Sequence, residues 1–429
     1  MQELILIILG TVFLVLLPAV IFRKRGFEVQ GVLVLARTRK GLNLLDKLAG
    51  KKSAWNFFAD VGIIMSLGVA GAILLGRNTG NWKKTIIEYL ASLPAILLLV
   101  APFAGNLLIL LLTLFFGISF FILAALALNS LMIVQEYMQG TTPSPGVIPI
   151  IPGTGNVPLY AVISLLILLV VHEMAHGIVS RAQKISVKSL GILLLGIIPI
   201  GAFTEPDEEE LKKAKRVRRM RVYAAGSMAN FVTAALFFIL LLGSTSLITG
   251  YSLYGVPAFD GHKSAPFPLV ISNNPEKMNY MIQYVENSSP AQQAGLAPGM
   301  VIENPGPLFN KSPGEQIVLV VNGREYKITA DEEGMVGVMG GIMPAYSRYS
   351  LIDWAAVTVL GILAWTFLLN YLVGMVNLLP FWMLDGYKLV EDLLNEFFSK
   401  ESVRKITLAS IAGFVGILFI MNAVPWFIK

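Results

Sequence analysis

"ISLLILLVVHEMAHGIVSRA", residues 163–182, carries two histidines and a glutamate at the end of a run made almost wholly of aliphatic side chains. Bilayer hydrocarbon and a protein core both penalise ionisable groups unless they are paired or put to use. The chain holds only three histidines. Two of them, with a carboxylate between, stand in its most apolar surroundings.

Composition explains those surroundings. The chain has 429 residues, 55% of them hydrophobic and only 14% charged, with a mean hydropathy of +0.70. That is too apolar for an ordinary soluble protein of this size, and several runs approach the roughly 20 residues needed to cross a bilayer. The expected class is a polytopic α-helical membrane protein. With no cysteine, disulfides and thiolate metal sites are excluded. A net charge of +6 suits cytoplasmic loops of a membrane protein, so no nucleic-acid partner is implied. The first apolar run is followed by Arg23, Lys24 and Arg25 instead of a small-residue cleavage site, and reads as a retained span.

The apolar runs are 4–22, 57–75, 86–103, 106–134, 159–181, 221–243, 351–379 and 406–428. Loop 23–56 holds nine Lys/Arg residues and segment 204–221 holds seven. The positive-inside rule puts both on the cytoplasmic side, which requires two spans between 86 and 134. The expectation is therefore about eight apolar crossings with both ends outside. Segment 187–203, "VKSLGILLLGIIPIGAF", is too short and too broken by Gly and Pro for a span. It reads as a re-entrant β-hairpin or an interfacial connector. The run from Glu205 to Arg221, acidic and then basic, reads as a solvated helix at the cytoplasmic surface.

Residues 250–348 have ordinary globular composition, and parity places them outside. Ser289 and Pro290 form a helix-start signal, and Asn322-Gly323 joins two alternating strands. A small mixed β/α module is expected there. The chain then divides into 1–156, an N-terminal transmembrane region; 157–249, with the histidine helix and hairpin; 250–348, the module; and 349–429, with the last two spans.

On a helix, His172 and His176 are four residues apart, so both imidazoles leave one face at chelating distance. Glu173 stands one position round. This is the H-E-x-x-H arrangement of zinc hydrolases, in which the metal acidifies water and the glutamate is the general base. The alternative, a histidine pair satisfied within the bundle, leaves Glu173 uncompensated at membrane depth. A catalytic zinc wants a third protein ligand. His262 falls in the outside module, so a carboxylate must serve. Asp60 and Asp353 sit at span ends; Asp385 follows "WTFLLNYLVGMVNLLPFWML", on a helix descending in the same direction as the histidine helix. Asp385 is the expected ligand; its other role would be to cap the helix "GYKLVEDLLNEFF".

With these residues in place, the chain resembles the site-2 protease family of intramembrane zinc metalloproteases. "HEMAH" and "NLLPFWMLDG" match that family's two motifs, the second through Asn377, Pro380, Asp385 and Gly386, and "GSMAN" resembles its Gly-x-x-x-Asn element. "ENSSPAQQAGLAPGMVI" is similar to the PDZ domains that many members carry on the extracytoplasmic side. The resemblance runs from about residue 157 onward and implies one zinc ion per chain and transmembrane protein or peptide substrates in a lipid bilayer. The implied activity is cleavage of bonds within or near membrane spans (regulated intramembrane proteolysis). The chain differs at Trp382, Met383 and Tyr387 around the aspartate, and at Met300 in the PDZ-like stretch. Asn230 and Asn377 are candidates for holding substrate backbone or the developing oxyanion, or else for helix–helix hydrogen bonding. Two other functions compete: a catalytically inactive scaffold or chaperone with a structural zinc, and a metal transporter, which would need polar residues through more of its spans. Oligomeric state has no signature in the sequence.

Overall fold

The computed structural model describes residues 12–427 apart from 101–106, 141–142, 144, 148–149, 151–156, 197, 248–250, 257–266, 273 and 310. The start of the 4–22 run, the end of the 86–103 run and His262 lie outside the described residues.

The longer helices are α1 (Lys52–Thr79), α2 (Trp82–Val100), α3 (Leu107–Phe116), α4 (Ile118–Met138), α5 (Ala161–Ala182), α6 (Arg216–Leu247), α7 (Leu351–Val376), α8 (Asp385–Phe397) and α9 (Glu401–Ala423). Among the described residues, six stretches are long and apolar enough to cross a membrane: α1, α4, α5, residues Arg216–Ser244 of α6, α7 and α9. The chain is a polytopic helical membrane protein. The 4–22 and 86–103 runs are not among these six.

The 106–134 run, expected as one span, is two helices separated at Gly117. The cause is tertiary. Gly117 has φ +85° and Gly68, inside α1, has φ +59°, both in the left-handed region. The two breaks press backbone on backbone. A Cβ on Gly68 would lie 2.1 Å from the Phe115 carbonyl oxygen, and one on Gly117 would lie 2.3 Å from that of Ser66. Only glycine admits either approach.

The chain forms two compact units: Met1–Met138 with Leu165–Ala234 and Leu369–Ile428, and Gln139–Ser164 with Ala235–Leu368 and Lys429. In the first, β3 (Val187–Leu195) and β4 (Ile198–Pro206) form an antiparallel hairpin, so the 187–203 segment takes the hairpin alternative. Two strands unforeseen from sequence, β1 (Glu28–Gln30) and β2 (Leu33–Thr38), extend it to a sheet of order β1-β2-β3-β4 with β4 at the edge. Leu33 to Thr38 pair with Leu195 to Leu190. Small side chains let three helices close on one another: Ala59 of α1, Ala175 and Val179 of α5, and Val222, Ala225 and Ala229 of α6 share one buried cluster. Ion pairs then fix α8 against α6. Arg219 donates Nε to Asp392 Oδ2 at 3.2 Å, and Arg216 pairs with Glu396. Burial pushes the Asp392 carboxyl above its ordinary range, and Arg219 opposes that rise.

In the second unit, β5 (Tyr251–Val256) and β6 (Phe267–Ser272) pair with each other. A five-stranded antiparallel sheet has the order β10-β9-β8-β7-β11, from β7 (Met278–Val285), β8 (Val301–Glu303), β9 (Gln316–Val321), β10 (Arg324–Thr329) and β11 (Val338–Pro344). Ile282, Ile302, Leu319, Val321 and Ile328 make its core with Ala291. The expected helix start is there: Ser289 Oγ accepts from Gln292 N at 3.2 Å, with Pro290 first in the short helix Pro290–Gln293. The Asn322-Gly323 turn joins β9 to β10 with both φ values positive, as a two-residue hairpin requires.

Candidate metal centre

Helix α5 places His172 and His176 one turn apart, their ring centroids separated by 4.7 Å and their Nε2 atoms by 3.1 Å. Asp385 opens α8. Its Oδ2 lies 3.4 Å from His172 Nε2 and 3.2 Å from His176 Nε2. Thus two potential ligand atoms one helical turn apart and a third more than 200 residues further along the chain fall within 4.8 Å of one another. An ion bound tetrahedrally at about 2.0–2.1 Å needs its ligands about 3.3 Å apart. The triangle has that size.

The chemistry of the donors fits as well. Asp385 Oδ2 is buried and accepts no hydrogen bond from the protein, and such an orphan is normally matched by a cation or donor. His176 Nδ1 lies 2.7 Å from the Val222 carbonyl. A carbonyl only accepts, so Nδ1 carries a proton, and in the neutral ring Nε2 is then the nitrogen free to ligate. His172 Nδ1 lies 3.1 Å from the Asn230 amide, whose Oδ1 is buried and unpartnered. Rotating that amide half a turn lets Oδ1 accept from Nδ1–H, which satisfies both atoms and frees Nε2 of His172 in the same way. The two Nε2 edges and one carboxylate then converge.

Gly226 of α6 explains how they can. A Cβ there would stand 2.4 Å from His176 Nε2 and from His172 Cε1, and 2.6 Å from His172 Nε2. Glu173, half-buried beside the triangle in sequence, is held by the edge strand of the sheet. The Thr204 N–H donates to its Oε2 at 2.7 Å, and the Thr204 hydroxyl donates to its main-chain carbonyl at 2.5 Å. The Asn377 carbonyl accepts from Gly386 N at 2.8 Å, which folds the chain back toward Asp385; the Asn377 side chain is half-buried.

The other carboxylates weighed from sequence sit elsewhere. Asp60, 1% exposed, accepts from Arg221 Nε at 2.7 Å, from an Arg221 terminal nitrogen at 2.8 Å and from Lys84 at 3.0 Å. Asp353, in the second unit, pairs with Lys277 at 2.7 Å. Three contributors escaped the sequence reading: Thr204, the Val222 carbonyl and the steric role of Gly226. The "GSMAN" motif drew attention to Gly226, but nothing in the sequence marks the other two.

Comparison with known proteins supplies independent information. Residues 160–423 match the family model described as peptidase family M50. The chain is also 28% identical over 282 residues to an uncharacterized protein of Methanocaldococcus jannaschii, an alignment covering 64% of this chain and 70% of the relative.

Proposed function

Because the chain belongs to peptidase family M50, a family of membrane-embedded metallopeptidases, we propose that it is an intramembrane zinc endopeptidase. Its substrates would be transmembrane proteins or peptides, cut within or near a membrane span. One observation carries this reading: the two imidazoles of α5 and the carboxylate opening α8 converge within 4.8 Å, with Glu173 adjacent in sequence to the first of them.

In this reading His172, His176 and Asp385 hold the metal. Zinc bound there supplies a Lewis acid for the scissile carbonyl and a lowered pKa for water. Glu173 takes the proton of the attacking water and passes it to the leaving amine. The Thr204 N–H keeps the Glu173 carboxylate in one orientation. Asn230 and the Val222 carbonyl hold the two imidazoles by their Nδ1 edges, as outer partners of ligating histidines do; this favours a supporting role for Asn230 over the oxyanion role. Asn377 remains the candidate on the substrate side.

The β4 edge strand suits substrate delivery. An unwound segment of a transmembrane helix can join it through main-chain hydrogen bonds, and an edge that already touches Glu173 brings the added strand to the general base. The remaining proposals concern layout. They are eight crossings, a re-entrant β3–β4 hairpin, cytoplasmic access to the site, an extracytoplasmic PDZ-like module at 250–348, and the fourfold division at 156, 249 and 348. The Lys/Arg asymmetry supports the orientation, and the capped helix, Asn-Gly hairpin and antiparallel sheet support the module.

The test is metal content. His172→Ala, His176→Ala and Asp385→Asn are each expected to weaken zinc binding by about 10- to 100-fold or more and to abolish cleavage of a model transmembrane substrate. Full zinc in all three variants would remove the site.

A further inference from the structure

The Asp385 ligand sits in a broken helix, and the break has to be held. Pro380 lacks an N–H and cannot continue α7, which ends at Val376. The carbonyls that follow lose their helical donors, and each buried one needs another. Val376 O accepts from Leu379 N and Leu379 O from Phe381 N, at 3.0 and 2.8 Å. Asn377 O accepts from Gly386 N at 2.8 Å. Leu378 O is the exception, because its donor comes from the N-terminal part of the chain: Ser119 Oγ of α4, at 2.8 Å.

Ser119 has one hydroxyl hydrogen and gives it to Leu378 O. Ser66 Oγ of α1, 3.0 Å away, must therefore donate to Ser119 Oγ. Both serines are buried, at 0% and 7% exposure, and each lies two residues from one of the glycine breaks that press α1 against α3 and α4. The Leu378 carbonyl is confined on its other side too. A Cβ on Gly386, the residue after Asp385, would lie 2.1 Å from Leu378 O. Any shift of that carbonyl is thus passed directly to the peptide carrying the ligand.

We propose that Ser119 is a positioning residue for the Asp385 ligand. The relay Ser66–Ser119–Leu378 transmits the packing of the Gly68 and Gly117 breaks to the metal triangle. This gives the N-terminal helices, which lie outside the region matched by the family, a part in setting ligand geometry. The inference rests on the assignment of His172, His176 and Asp385 as metal ligands.

The experiment uses the full chain in detergent, loaded with Co(II) alone, and reads the visible d–d spectrum and Co(II) affinity. Ser119→Ala is expected to weaken affinity about tenfold and to shift or weaken the tetrahedral bands. Ser119→Thr, which keeps the hydroxyl, should restore them. Ser66→Ala should shift the bands in the same direction by less, and it carries the test if Ser119→Ala does not fold. Wild-type spectra and affinity in Ser119→Ala, or in Ser66→Ala when it stands in, overturn the inference. Equal Co(II) binding by wild type and His172→Ala instead overturns the ligand assignment beneath it.

Discussion

Replacing Gly226 with alanine separates the metal centre from the fold more cleanly than removing a ligand. The added Cβ would lie 2.4 Å from His176 Nε2 and 2.6 Å from His172 Nε2, where ordinary contact begins at 3.4 Å. The His172 Cε1 would be as close, at 2.4 Å, so each imidazole must retreat by about 1 Å, or α6 must move. Metal–ligand distances tolerate about ±0.2 Å, so the displacement exceeds the tolerance several-fold. Turning two imidazoles off their rotamers costs about 0.5–1.5 kcal/mol each. Against this, alanine in a helix interior is favoured over glycine by about 0.8–1.0 kcal/mol. The metal-free protein should therefore lose no more than about 2 kcal/mol, whereas zinc affinity should fall by about 100-fold or more. Competition with a calibrated chelator gives the affinity; thermal unfolding with excess chelator gives the metal-free stability. Wild-type zinc affinity in Gly226→Ala would refute the claim that the ligand nitrogens meet at this glycine. An equal loss of stability with and without metal would refute the separation.

Three further outcomes follow from the same geometry. Asp60→Asn should keep its zinc while destabilising the fold by about 3 kcal/mol, because Arg221 is left buried without its carboxylate; loss of zinc alone would make Asp60 a ligand after all. Thr204→Pro removes the N–H that orients Glu173 and should lower kcat by about 10- to 100-fold at unchanged zinc content, with unchanged kcat counting against that role. Single cysteines at positions 215 and 262, in a chain with no native cysteine, should react with an impermeant reagent from opposite sides of sealed vesicles. Labelling from one side would refute the span count between 86 and 134.

Much of this architecture was legible because membrane physics writes it plainly. Apolar runs mark α1, α5, α6, α7 and α9, since each backbone must satisfy itself in lipid. The spacing of His172 and His176 states their shared face, and Asp385 was the carboxylate expected beside them, where the structure brings it. Legibility ends where the determinant is tertiary. Gly117 sits in an apolar run that any window would read as one helix, and it breaks only because Gly68 lies across from it. The strand β2, from the "GVLVLART" stretch inside a basic loop, pairs with β3 across about 150 residues of chain, and β1 pairs with β2. The Val222 carbonyl and Thr204 N–H are main-chain groups, which no side-chain pattern announces.

The central claim is that Glu173 is the base of a zinc-dependent cleavage inside a membrane. It is tested by comparing wild type with Glu173→Gln in liposomes carrying a transmembrane substrate, with bound zinc measured on the same samples. One zinc per chain is expected in both proteins, with cleavage by wild type alone and a chelator abolishing it. Cleavage at the wild-type rate by Glu173→Gln would contradict the role of the glutamate. Zinc retained by wild type with no cleavage of any transmembrane substrate would favour the scaffold.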